Sequence, residues 1–208
     1  VEEAVYYNGY RAGTDLVGPE DHANGDAVPH RCFAKHLGLE HMAAHGVQGR
    51  GVLVDLPLMK GVKWLEPSTP IYVEDLEAWE KFAGVRLGPG DAMIVRTGRW
   101  AKRAAEGPWN YGQQAAGLHA SVLPWLKARQ ISLLASDAVN DVQPSGVAGI
   151  NRPIHQVTQV NIGLPLVDNA YTEDAAVEAA RLKRWEFLLT LQIYQLQGGT
   201  ASPFNALA

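Results

Sequence analysis

The sequence predicts an α/β domain with a mixed sheet, on three observations. Dense apolar runs at 49–57 ("GRGVLVDLP"), 90–98 ("GDAMIVRTG") and 131–137 ("ISLLASD") have the length and composition of buried strands. Stretches at 73–84 ("VEDLEAWEKFAG"), 112–130 ("GQQAAGLHASVLPWLKARQ") and 172–185 ("TEDAAVEAARLKRW") space their apolar residues as helices do. Strand and helix patterns alternate along the chain, as they must where helices cover a sheet. No period of about 20 to 50 residues recurs to suggest a repeat array.

Taken in order, residues 1–48 carry few strand signals and supply little apolar surface, so weak anchoring is expected there. Within them Phe33, Leu37 and Met42 predict a short helix ending near Gly46. The strand at 51–56 is closed by Pro57. The next helix, over 74–83, packs by Leu76, Trp79 and Phe82 and stops at Gly84. After the turn "GPGD" comes a strand at 92–96. Ala115, Leu118, Val122, Trp125 and Leu126 then predict a helix over 113–128, which Pro124 kinks, followed by a strand at 131–136. Thr172 as N-cap and acids in the first turn predict a helix over 173–183. Period-two alternation predicts a last long strand over 187–196.

The 208 residues suit one well-buried core, so a single domain over 1–208 is expected. Eighteen Lys and Arg against 22 Asp and Glu give a net charge of −4, and no basic run argues for nucleic acid. Cys32 is the only cysteine, which excludes an intrachain disulfide and a cysteine-based zinc knot and fits a cytoplasmic, reducing location. No stretch approaches the roughly 20 apolar residues of a membrane-spanning helix, so no membrane partner is expected. "VEEAVYYNGY" lacks the features of a signal peptide and has no initiator Met, and upstream sequence is expected to be missing.

Open α/β sheets bind ligands beyond their strand ends, so polar residues there are the candidates. They are Asp55, "RTGR" at 96–99, Asp137 with Asp141, and Asp168. Arg96 reads either as an anion or carbonyl anchor, helped by the amides of Thr97 and Gly98, or as a salt-bridge partner of an acid such as Asp91. Asp137 and Asp141 either position a histidine or substrate or cap the next turn. "GGTASP" at 198–203 offers amides that can cup an oxyanion. Among seven histidines, His22, His30, His36, His41 and His45 cluster early, and the spacing of His36, His41 and His45 spreads those three over a helix surface. His155 and Asp168 form a sharper pair. If 154–162 is helical and stops at Gly163, the chain reverses at Leu164-Pro165 and returns Asp168 toward His155. An imidazole and a carboxylate are a partial ligand set for Zn²⁺ or Mn²⁺. The other reading makes His155 a core histidine and Asp168 a cap for the helix at 172.

Several segments together resemble the cyclase family of metal-dependent hydrolases, the group that includes bacterial kynurenine formamidase and isatin hydrolase. They are "YYNGY", "GRGVLVDLPLMKGVKWLEP", "VEDLEAWEKFAGVRLGPGDAMIVRTGR", "AGLHASVLPWLKARQISLLASDAVNDVQP", "PIHQVTQVNIGLPLVDN" and "EFLLTLQIYQLQGGTASPFN". The resemblance implies a swivelling β/β/α fold, a homodimer or higher homo-oligomer, and hydrolysis of an amide, formamide or lactam bond of a small molecule with Zn or Mn. It maps the family's later metal ligands onto His155 and, with Asp in place of the commoner Glu, Asp168. Arg96, Trp109 and Tyr111 are the candidate substrate contacts. The family's histidine-rich motif, H-x-G-T-H-x-D-x-x-x-H, supplies the other ligands and the catalytic histidine and is not in this sequence. In relatives it precedes a "YNGY"-like stretch, so the expectation is that an N-terminal part carrying it is missing. A non-catalytic binding protein of the same fold, with a pocket between subunits lined by Trp64, Trp109 and Tyr111, is the alternative. A structural oligomeric subunit is a third possibility without positive support.

Overall fold

The computed structural model describes residues 5–17 and 33–208. The expectations for His22, His30 and Cys32 lie outside the described residues. In chain order the elements are β1 (Leu16–Val17), β2 (Phe33–Ala34), α1 (Glu40–Ala43), β3 (Val47–Asp55), α2 (Leu56–Lys60), β4 (Pro70–Ile71), α3 (Val73–Ala83), β5 (Ala92–Arg96) and α4 (Arg99–Glu106). There follow β6 (Gly117–Leu118), α5 (Leu123–Arg129), β7 (Leu133–Ser136), α6 (Pro153–His155), β8 (Leu166–Val167), α7 (Glu173–Leu182), β9 (Glu186–Ile193) and β10 (Phe204–Leu207). The six-stranded mixed sheet runs β10-β9-β3-β5-β7-β8, which is the α/β class the apolar runs predict. Contacts divide the chain into two units, 49–188 and the two ends, 1–48 with 189–208.

In the unit 49–188, β3, β5, β7 and β8 are parallel neighbours. Parallel strands are covered on both faces, so both sets of side chains are apolar. Val52, Val54, Met93 and Val95 face one way, into a core with Leu76, Trp79, Leu126 and Ile154. Leu53 and Ile94 face the other way, onto Ala176 and Ala179 of α7. Pro57 closes β3 as expected, but by opening α2 rather than a loop: Asp55 accepts the Leu58 amide at 3.0 Å, and a first-turn proline has no amide to lose. Gly84 ends α3 with φ +66°.

The helix expected over 113–128 is corrected. Gly117–Leu118 forms β6 and pairs with β4, Ala120–Val122 is a 3₁₀ turn, and α5 begins only at Leu123. Ala115, Leu118 and Val122 are buried by these irregular pieces, which counterfeits a helical face. Pro124 sits in the first turn of α5, where it starts the helix instead of kinking it. Thr172 does precede α7, but its backbone is already helical and its hydroxyl makes no cap bond.

In the other unit, β1 and β2 form a two-stranded ladder, α1 ends just before Gly46 with φ +68°, and β10 runs antiparallel to β9. Tyr10 stacks on His36, which lies 3.6 Å from Asp15. His41 and His45 are exposed. The Gly198 amide is given to Glu40 and the Gly199 amide to Leu196, so both glycines of "GGTASP" spend their donors within the unit. No helix among the described residues is long and apolar enough to cross a membrane.

Candidate metal centre

The parallel strands of unit 49–188 carry the candidate residues at their C-terminal ends. Asp55 and Arg96 are in-register partners closing β3 and β5, Asp137 follows β7, and Asp168 follows β8. This is where open α/β sheets place ligands.

Arg96 is committed to carboxylates there. Its guanidinium lies 2.9 Å from Asp55 and 2.8 Å from Glu173 at the start of α7. Burial opposes its charge, but Glu173 and Asp55 outweigh it and raise its pKa. Asp91, the partner suggested by sequence, instead meets Arg50 at 3.3 Å. Arg96 thus cross-links β3, β5 and α7.

Asp137, with no exposed surface, accepts from the Thr97 amide and hydroxyl at 2.9 and 2.8 Å, and from the amides of Gly98 and Arg99 at 2.8 and 3.1 Å. It caps the N-terminus of α4. Burial pushes its pKa up against these four bonds.

His155 is held between two carboxylates. The segment after β7 turns through Asn140, whose φ is +54°, and presents Asp141 with no exposed surface. Asp141 accepts the Ile154 amide at 2.7 Å in the first turn of α6, and His155 Nδ1 approaches its Oδ2 at 2.5 Å. The helix widens to π geometry over Gln156–Ile162 and stops at Gly163 with φ +64°, a local distortion common at functional sites. The chain reverses there as the glycine predicts, and β8 brings Asp168 back. Asp168 Oδ2 lies 2.9 Å from His155 Nε2, while Oδ1 accepts Asn140 Nδ2 at 2.7 Å. Burial disfavours imidazolium, but the bonds to Asp141 and Asp168 prevail and lift His155 to about 9.

The donor set fits part of a divalent metal site. Two ligands about 2.1 Å from one ion are roughly 3 Å apart at an octahedral angle and roughly 3.4 Å apart at a tetrahedral one, so the Nε2–Oδ2 separation of 2.9 Å suits the octahedral case and is short for the tetrahedral. A carboxylate on Nδ1 fixes the ring so that Nε2 is the ligating nitrogen. Among the described residues no group of three or more His, Cys, Asp or Glu side chains forms a ready metal cage. His155 and Asp168 therefore fit as a pair of ligands and not as a closed site.

Trp109 and Tyr111 line a small cavity with Leu65, Thr97, Arg99 and Ala138, leaving about 10 Å³ of free space. Trp64 lies outside this lining and sits under Lys102. Within "RTGR" the sequence points to Arg96, and it does not point to Arg99, Asn140 or Asn169. The available signal was Gly98, which ends the strand and starts a helix, so that Arg96 and Arg99 leave the turn in different settings.

A family model described as "Putative cyclase" matches residues 12–140. Among solved structures the chain is similar to a novel cyclase, with 27% identity and a TM-score of 0.69 over 83% of this chain and 56% of that one. Isatin hydrolase A from Ralstonia solanacearum is 16% identical, with a TM-score of 0.62 over 81% of this chain and 62% of its own. A potential metal-dependent hydrolase with cyclase activity is also 16% identical, with a TM-score of 0.53 over 92% and 74% of the two chains. At 16% identity the likeness concerns the fold. The chain spans less than two thirds of the first two structures. No curated protein sequence matches it.

Proposed function

Because the chain belongs to the cyclase family, we propose that it acts as a metal-dependent hydrolase on an amide, formamide or lactam C–N bond of a small molecule. One observation supports this above the rest: His155 Nε2 and Asp168 Oδ2 face each other at 2.9 Å, with the opposite ring nitrogen on buried Asp141.

His155 and Asp168 would hold Zn²⁺ or Mn²⁺. When bound, such an ion supplies a Lewis acid that makes water nucleophilic near neutral pH. The chain's own residues supply position. Asp141 fixes the imidazole, and Asn140 holds Asp168 by one oxygen, leaving the other toward His155. Trp109 and Tyr111 are proposed to flank the substrate.

Electron paramagnetic resonance of Mn²⁺ titrated with the chain tests the reading, because bound Mn²⁺ loses its free-ion signal. Wild type should take up one ion, and His155→Ala should lose at least about tenfold in affinity, as loss of even an outer-shell partner does. Equal uptake by both would make His155 a core histidine and remove the site. A metal-binding chain with no turnover of formamide, amide or lactam substrates would favour a binding protein of the same fold.

A further inference from the structure

Arg99 is buried, at 6% exposure, which no other arginine among the described residues matches. Among the described residues no carboxylate lies within ion-pair distance of its guanidinium. Nη1 donates to the neutral Asn169 Oδ1 at 2.5 Å, and Nε is buried with no partner. Asp137, the carboxylate that acts on Arg99 among the described residues, is taken up by Thr97, Gly98 and the Arg99 main chain. Lys102 lines the same cavity but is tied to Glu66 and Glu106.

A buried cation without a counter-charge is costly, and aromatic faces compensate it only in part. Arg99 Cζ lies 4.2 Å from the Trp100 ring centroid and 3.8 Å from that of Tyr111. The rings fix the plane of the guanidinium, and a planar fork with free N–H groups matches a carboxylate. The free space of about 10 Å³ is about one water-sized centre, room for a single ligand oxygen with the rest of the ligand toward the opening, and a planar carboxylate is the slimmer of the two oxyanions that a guanidinium binds.

We propose that the Arg99 cavity, walled by Trp109 and Tyr111, is a carboxylate-binding subsite for a small-molecule ligand. Asn169, which holds Arg99, follows Asp168 directly in the chain. On the metal-hydrolase reading, and resting on it, the carboxylate belongs to the substrate or product of the neighbouring centre. The subsite itself needs no metal.

Nitrogen-15 spectra of the arginine Nε–H groups of the 208-residue chain, recorded in EDTA, test it. Acetate should shift the Arg99 resonance saturably, with a Kd of about 1 to 50 mM, as suits so small a ligand. Acetamide, which carries no charge, and inorganic phosphate, which is bulkier than the small free space favours, should bind at least about tenfold more weakly. Arg99→Lys keeps the charge but loses the fork, and should weaken acetate by a similar factor. The three ligands compared on wild type decide the matter even if that variant fails to fold. An Arg99 signal unmoved by acetate, or moved equally by acetamide or phosphate, overturns the proposal. His155→Ala should leave the acetate response intact, so loss of metal binding and loss of the subsite are told apart.

Discussion

His155 makes two carboxylate bonds with one ring, and its titration reports them. Its pKa rises from 6.5 to about 9, with burial opposing the charge and Asp141 and Asp168 favouring it. A raised folded-state value means the charged form stabilises the fold. That contribution is fully present below about pH 6.5 and is lost as pH rises through about 9. A shift of this size corresponds to about 3 kcal/mol. In EDTA, the urea midpoint of wild type should therefore fall between pH 6.5 and 9, and Asp141→Asn, which removes one charged partner, should flatten that fall. Identical slopes for both proteins would show that Asp141 does not hold the imidazolium. Legibility at this scale was uneven. The pairing of His155 with Asp168 could be read from Gly163 and the reversal after it. The choice between Asp141 as a turn cap and as a histidine partner could not, because the side chain does both. Its carboxylate receives a helix amide and a ring nitrogen together.

β6 shows how an element of two residues can govern the site. Leu118 bridges Asp141, and a Cβ at Gly117 would meet the Asp141 carbonyl carbon at 2.5 Å and the Asn140 oxygen at 2.7 Å. Those atoms are backbone and have no rotamer by which to yield. Gly117→Ala should therefore push the Asn140–Asp141 turn away, cost about 1 to 3 kcal/mol of stability, and weaken Mn²⁺ binding along with it. Urea melts and the Mn²⁺ titration check this, and full metal affinity in a stable variant would mean the turn is not set by β6. β3, β5 and β7 were legible because burial on both faces demands uninterrupted apolar runs. β6, β4 and the 3₁₀ turn were not, since two-residue strands have no period to detect. Arg96 was legible as a strand-end cation, but its partners come from β3 and α7, 41 and 77 residues away, and no local pattern names them.

Across the whole molecule, the parallel strand ends gather Asp55, Arg96, Asp137 and Asp168 in the unit 49–188, which also holds Asp141 and His155. Metal bound there adds its free energy to the folded state of that unit and none to the unfolded chain. Two protein ligands leave the other coordination positions to water, so the 208-residue chain should bind weakly. With free ion at about ten times the measured Kd the gain is about 1.4 kcal/mol, from that ratio. For a chain of this size that gain raises Tm by about 3 to 6 °C. Thermal melts in EDTA and in MnCl₂ at one pH measure it, with MgCl₂ as the control for ionic strength and for hard cations that favour oxygen over imidazole. A Mn²⁺ shift in that range, absent with Mg²⁺ and absent in His155→Ala, assigns the stabilisation to an imidazole-containing site. No shift at all, or the same shift with Mg²⁺, would mean that His155 and Asp168 answer each other across a shared proton and hold no transition metal in this chain.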